Sequence, residues 1–372
     1  MLRSCSTQFR VPFVFLRGKS SSGLSSFAFL RVLRVEGGCG FPSWSFVTFV
    51  VDEFRLSLAA IGLALALLAQ QYAAAEVYPA RPIQLVVPFA AGSATDSVAR
   101  ILGQELSQRL GQNVVVENRP GANGQLAAAF VAKEAADGYT LFMTTNTTHS
   151  ANPHLYRTLP YDPVKDFEPV VRTGTLPFML VVTNSLPVDS TAQLIKYAKA
   201  HPGTLAYGTA NSASLVGAET INAMAGIDLL RVSYKSNPEA ITDLVAGRLQ
   251  VMVADFIGAI PHVKAGRLKL LAVTTAKRST LLPHAPPIAD TLSGYDLTSW
   301  NGIFAPAGTP KEIVARLAGE MLAVLARRQV RQRLAAIGFE VDPMGPEPLA
   351  AYVREQIAYW GKLVRQAGIE PE

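Results

Sequence analysis

The chain has 372 residues, 49% of them apolar, and a formal net charge of +6. That length buries a sizeable core and more than one domain. Of the 34 basic and 28 acidic residues, seven basic and three acidic fall within positions 1–75, so the remainder carries 27 against 25, a net charge of +2, with no basic run among aromatics to argue for nucleic acid.

Residues 1–53 mix Ser, Phe, Arg and Gly without periodicity and read as an extension upstream of the true start. Phe54-Arg55 then leads into an apolar run from Leu56 to Ala69, followed by Ala73-Ala74-Ala75-Glu76, a small-residue cleavage pattern. Residues 54–75 are therefore expected to be a secretory signal peptide cut near Ala75. Its apolar run, about 14 residues, is shorter than the ~20 that span a bilayer. Both cysteines, Cys5 and Cys39, lie upstream of it, so the mature chain lacks disulfides, thiolate catalysis and cysteine-ligated zinc. A soluble periplasmic product is expected.

From Glu76 onward short apolar runs alternate with helical periodicity, predicting an α/β fold with mostly parallel sheets. Ile83 to Phe89 reads as a buried strand. The small-residue loop Ala90-Ala91-Gly92-Ser93-Ala94-Thr95-Asp96 follows, and then a helix carrying Val98, Ile101, Leu102, Leu106 and Leu110 at helical spacing. Further strands are expected at Val114 to Glu117, Thr140 to Thr145, Met179 to Thr183, Leu205 to Gly208, Leu229 to Tyr234, Val251 to Asp255, Leu268 to Thr274 and Gly302 to Ala305. Ser150 to Arg172, rich in Pro and aromatics, reads as a long loop, and sheet grammar stops after Ala305. Pro310 to Ala326, Gln329 to Ile337 and Glu347 to Ala367 read as helices that return to cover the first unit. Two lobes result, one from residues 76–178 and 300–372 and the other from 179–299, with a ligand cleft between them.

The strand ends carry the chemistry. Ser93, Thr95 and Asp96 suit a helix cap, and the open N–H groups of a first turn receive anions. Asn118-Arg119-Pro120-Gly121-Ala122-Asn123-Gly124 fits either a structural turn or a ligand loop. Thr144-Thr145-Asn146-Thr147-Thr148 ends a strand with five consecutive hydrogen-bonding side chains. Gly208-Thr209-Ala210-Asn211-Ser212-Ala213-Ser214 repeats the first cradle, and two facing helix starts would suit a carboxylate at one or both ends of a small ligand. Asp255 reads as a helix cap or a ligand acceptor. Lys235 reads as a surface lysine or an anion-steering cation.

Enzyme motifs are missing: there is no GxSxG, GxxxxGK[ST], HExxH or GxGxxG. Among five histidines only His149 and His154 lie close in sequence, and the loop reading is preferred there to a metal site. No cofactor or metal is expected.

In order, Tyr78-Pro79-Ala80-Arg81-Pro82-Ile83, Pro88 to Asp96, Asn118 to Gly124, Asp137-Gly138-Tyr139-Thr140-Leu141, Tyr234-Lys235, Pro261-His262-Val263-Lys264-Ala265-Gly266 and Phe304-Ala305-Pro306-Ala307-Gly308-Thr309-Pro310 resemble the periplasmic receptors of tripartite tricarboxylate transporters, the Bug or TctC group. The resemblance covers Tyr78 to Gly368. It implies a two-lobed type II periplasmic binding fold that holds a small carboxylate on backbone groups, hydroxyls and ordered water. The implied contacts are Phe89, Ala91, Gly92, Ser93 and Asp96, then Thr145, Asn146 and Thr147, with Ser212, Ala213, Ser214 and Asp255 from the second lobe. Three departures stand out against the family pattern: Ser93 for a common glycine, Leu215 for a frequent histidine, and Ser236-Asn237 for a glycine-rich pair. They cluster at the ligand edge, so no relative's substrate transfers directly.

The expected protein is a monomeric, exported, cofactor-free receptor that binds a small organic acid and presents it to integral membrane transporter subunits, without contacting nucleic acid. Two rivals stay open: a sensory receptor that reports ligand to a signalling partner, and an α/β hydrolase or lyase, which lacks an identifiable nucleophile-base pair.

Overall fold

A computed structural model describes residues 78–279 and 281–372; the extension read over 1–53 and the signal peptide read over 54–75 lie outside the described residues. Strand β1 (Ile83–Val87) is buried except at Gln84, and Pro88-Phe89 turn the chain toward α1 (Ala94–Leu110). Ser93 caps that helix by accepting from the Asp96 N–H at 3.3 Å. Val98, Leu102, Leu106 and Leu110 form its buried stripe, and Gly111 ends it in the left-handed conformation. Strand β2 (Val114–Asn118), helix α2 (Gln125–Val131) and strand β3 (Thr140–Thr145) follow, with β2 and β3 both parallel to β1.

A π-type turn, Thr147–Ala151, continues into the short α3 (Asn152–Leu155). Strand β4 (Phe167–Leu176) runs through Pro177 directly into β5 (Phe178–Thr183), which carries the chain to the second sheet. That sheet is built by α4 (Thr191–Ala200), β6 (Ala206–Thr209), α5 (Ser212–Ala225), β7 (Leu230–Ser233), α6 (Asn237–Val245), β8 (Val251–Asp255), α7 (Phe256–Lys264) and β9 (Leu268–Val273). The return strand β10 (Ser299–Pro306) re-enters the first sheet. Helices α8 (Lys311–Ala326) and α9 (Arg328–Ala336), strand β11 (Glu340–Met344) and helix α10 (Pro346–Gln366) complete the lobe. Trp360, fully buried, anchors α10, which packs along β4 and the π-type turn.

The first sheet has the order β11-β4-β10-β3-β1-β2 and the second β7-β6-β8-β5-β9, giving the two-lobed type II binding fold. The sheets are mixed, not mostly parallel as the alternation suggested. β1, β2 and β3 pair in parallel, as do β6, β7 and β8, because a helix returns the chain between them. β10 runs antiparallel to β3 and β4, and β5 antiparallel to β8 and β9. β5 and β10 are the strands on which the chain enters each lobe from the other, so they meet the βα-connected strands head-on.

The segment from Ser150 to Arg172 is not one long loop, since it contains part of the π-type turn, α3 and the start of β4. Its prolines and aromatics concealed the period. Sheet structure also continues beyond Ala305, because β11 pairs antiparallel with β4 at the sheet edge. Short, half-exposed and interrupted by Pro343, that strand lacks an alternating pattern.

Candidate functional site

The loop after β1 and the loop after β6 meet in a narrow inner recess of about 20 Å³. Phe89, Ser93, Ala94 and Thr95 line it from the start of α1, and Thr145 and Thr147 from the end of β3. Ala210, Asn211, Asn237 and Asp255 line it from the second lobe, and Leu176, Phe178 and Ser299 from the crossing strands. Helices α1, α5, α6 and α7 all begin at lining residues or next to them. Their N-terminal ends carry partial positive charge, so the recess favours an anion without a buried arginine.

Of the residues expected from sequence, Phe89, Ser93, Thr145, Thr147 and Asp255 line this recess. Asn146 and Ser212 lie just behind it, fully buried and joined across the lobes by a 3.0 Å bond from Asn146 Nδ2 to Ser212 Oγ. Thr147 Oγ1 also contacts Ser212 Oγ at 3.0 Å, and Ser299 donates to Asn146 Oδ1. Ala213 is buried in the first turn of α5, outside the lining.

The remaining expected residues hold the loops. Ala91 and Gly92 are exposed and line neither cavity. Asp96 turns inward, where its carboxylate accepts from the Gly92 N–H (2.9 Å), Asn118 Nδ2 (2.9 Å) and the Arg100 Nε (3.0 Å). Burial opposes its charge, but the bonds from Arg100, Gly92 and Asn118 outweigh burial and hold its pKa below the ordinary range. Asp96 therefore fixes the shape of the first loop, and no oxygen of it lines the recess. Ser214 is likewise internal: with Asn211 it forms a reciprocal capping box on α5, and its hydroxyl contacts Thr209 Oγ1 at 3.0 Å.

Asp255 combines both of its expected roles. It lines the recess, yet Oδ1 accepts from the Gly258 N–H at 2.7 Å as the cap of α7, and Oδ2 accepts from Asn237 Nδ2. Burial raises its pKa above the ordinary range, against the bonds from the Gly258 N–H and Asn237 that favour the charged form.

The π-type turn packs behind the Thr145 strand end. Thr144 and Thr148 share a hydroxyl contact of 2.6 Å, and Tyr161 Oη donates to the Thr148 carbonyl at 2.9 Å. His149 is buried among Phe142, Phe167 and Phe304, its ring centre 4.1 Å from that of Phe304. His154 bonds the Ile357 carbonyl at 2.8 Å, and no cluster of three metal-ligating side chains exists among the described residues.

A larger outer cleft of about 250 Å³ shares Phe89, Ala210 and Asn211 with the recess. The Gly121–Gly124 loop and Tyr156 form one wall, and Leu215, Arg231, Tyr234 and Lys235 the other. Ala122 and Asn123 both sit at positive φ, 45° and 49°, a conformation that L side chains adopt only under constraint. The constraint is Asn152, which accepts from Asn123 Nδ2 at 2.9 Å and donates to the Asn123 carbonyl at 3.0 Å. The loop is thus a built turn whose Gly121–Gly124 part lines the outer cleft.

The profile described as "Tripartite tricarboxylate transporter family receptor" matches residues 98–369. The chain belongs to the tripartite tricarboxylate transporter receptors. An R. palustris protein solved with adipate shares 40% identity with this receptor at a TM-score of 0.78, covering 79% of this chain and all of that one. The periplasmic binding protein BugD shares 32% at 0.76, over 79% of this chain and all of BugD. MatC from Rhodopseudomonas palustris, solved with malate, shares 33% at 0.72, over 77% of this chain and all of MatC.

In this transporter receptor eight residues that line the recess are absent from the expected contacts: Ala94, Thr95, Leu176, Phe178, Ala210, Asn211, Asn237 and Ser299. Asn237 carried a signal, standing in the unusual pair after Tyr234-Lys235. Ser299 carried little, because only the sheet crossing brings that strand start to the cleft.

Proposed function

We propose that this receptor binds a small organic carboxylate in the inner recess and delivers it in the periplasm to the membrane subunits of a tripartite tricarboxylate transporter. The observation that carries this reading is the convergence of four helix starts, with the hydroxyls of Ser93, Thr145, Thr147 and Ser299, on one narrow recess between the lobes. A helix N-terminus contributes up to about 2 kcal/mol and each neutral hydrogen bond about 0.5–1.5, so several together reach the roughly 8 kcal/mol of micromolar binding. Relatives solved with adipate and malate support the same class of ligand.

Ser93, Thr145, Thr147, Asn211, Asn237 and Ser299 are the direct contacts in this reading, and Asp96, Asn146, Ser212 and Ser214 hold the loops that present them. Among the described residues Asp255 is the one titratable group that lines the recess, and its oxygens are bonded to the Gly258 N–H and Asn237. Isothermal titration of ligand-stripped protein with mono-, di- and tricarboxylates tests it. Saturable binding of at least one acid class is expected; no heat and no thermal stabilisation from any acid would overturn it. A ligand at 100 times its dissociation constant stabilises by about 2.7 kcal/mol, well within reach of a melting experiment.

A further inference from the structure

Arg231 and Lys235 both line the outer cleft, and the Arg231 guanidinium holds the side-chain carboxylate of Glu372 at 2.9 Å. Arg231 lies on β7 of the second lobe. Glu372 is fixed to the first, where its N–H donates to the Leu155 carbonyl at 3.0 Å and its carbonyl accepts from the Arg157 N–H at 2.9 Å. The pair therefore spans the cleft from lobe to lobe. Lys235, in the same wall, has no ion-pair partner among the described residues. The outer cleft and the recess share Phe89, Ala210 and Asn211 in their walls, so the two spaces adjoin.

We propose that the outer cleft is a second anion subsite, in which Arg231 and Lys235 receive the distal acid of a dicarboxylate whose first carboxylate sits in the recess, and that Glu372 holds this subsite until the ligand displaces it. The proposal rests on the carboxylate reading of the recess. The chain itself shows that the subsite accepts a carboxylate, since Glu372 already supplies one. Both partners of that pair are substantially exposed, so their attraction is screened and readily exchanged for another anion. Lys235 adds a positive charge that Glu372 does not neutralise. A monoacid of equal length leaves the Arg231–Glu372 pair in place and gains neither cation.

Titration calorimetry with succinate against butanoate, and adipate against hexanoate, reads the subsite as a ratio of affinities within each pair. For at least one pair the diacid is expected to bind about tenfold more tightly, the scale of a charge-assisted contact. Lys235→Gln and Arg231→Gln should each reduce that ratio to about threefold or less, and Glu372→Gln should raise it. The substituted side chains are exposed, and an unchanged melting midpoint without ligand confirms folding. Equal affinities for diacid and monoacid, or variants that weaken both acids in step, would overturn the subsite while leaving the recess reading intact. Binding of neither acid class by wild-type protein would instead overturn both.

Discussion

Asn146 at the end of β3 in the first lobe donates its amide to the hydroxyl of Ser212 at the start of α5 in the second, over 3.0 Å and out of contact with solvent. Thr147 shares the same hydroxyl, and Ser299 fixes the Asn146 carbonyl, so one small network ties both lobes beside the recess. The network thus joins loops that line the recess from both sides.

Ser212→Ala should lower stability by about 1–3 kcal/mol in urea unfolding, because it leaves the buried Asn146 amide and Thr147 hydroxyl without this partner. Carboxylate affinity should fall as well, since closure is weakened. An unchanged midpoint and affinity would show that the network contributes nothing.

Ser93 and Ser214 look equivalent in sequence but stand in different places. Ser93→Ala removes the cap of α1 and a recess hydroxyl, so a loss near 1 kcal/mol should accompany weaker binding. Ser214 is fully buried, and its oxygen accepts from the Ala210 N–H at 3.1 Å while donating to the Asn211 carbonyl at 2.9 Å. Ser214→Trp should therefore prevent folding, not merely block binding. A folded Ser214→Trp protein by circular dichroism would refute that placement.

His149 should make stability sensitive to acid. Burial pushes its pKa from 6.5 down to about 3, so the folded state keeps it neutral while the unfolded chain takes up a proton below 6.5. The stability it permits is whole above pH 6.5 and declines as pH falls toward 3, by up to about 1.4 kcal/mol per pH unit. His149→Phe suits the surrounding phenylalanines and should flatten that decline between pH 6.5 and 5. Urea unfolding at the two pH values checks it; parallel losses in both proteins would exclude His149 as the source.

Asp96 gives a dependence at lower pH. With a folded pKa below the usual value of 3.8, its contribution is present above that value and lost as pH falls through the lower folded one. Asp96→Ala should weaken carboxylate binding without removing any ligand contact, by freeing the Gly92 loop. Wild-type affinity in a folded Asp96→Ala protein would show that the loop holds its shape unaided.

Gly124→Ala and Gly111→Ala separate crowding from backbone strain. Both glycines have positive φ, 82° and 68°. A Cβ on Gly124 would lie 2.7 Å from Thr148 Cγ2 and 3.2 Å from Pro88 Cβ, whereas one on Gly111 meets nothing within 4 Å. Each should cost about 1 kcal/mol for the backbone, with a further loss at Gly124 as Pro88 and the π-type turn are pushed apart. Comparable unfolding free energies for the two variants would remove the crowding term.

Local pattern was enough for much of this architecture. Apolar runs such as Ile83–Val87 and Val251–Asp255 announce buried strands, whereas which of Asp189, Ser190 and Thr191 caps α4 is decided by the structure, where Ser190 accepts from the Gln193 N–H at 3.2 Å. Three helices after β10 were legible from spacing alone. Strand β11 was not, because an edge strand with one face in solvent has little apolar period to display. The direction of β5 and β10 was equally hidden, since strand polarity follows from how the chain crosses between lobes.

At the site, the amino-acid sequence by itself determined that hydroxyl- and glycine-rich loops follow buried strands and start helices, which is enough to mark an anion cradle. Only the tertiary structure decided which side chain faces the space. Asp96 and Ser214 carry the right chemistry, yet each spends its oxygens on its own loop; Ser299 and Asn237, distant in sequence, line the recess. The physical reason is that hydrogen-bonding capacity is a property of the residue, whereas the space it faces is set by the strand crossings and loops around it: Ser299 and Asn237 line the recess even though they also bond Asn146 and Asp255.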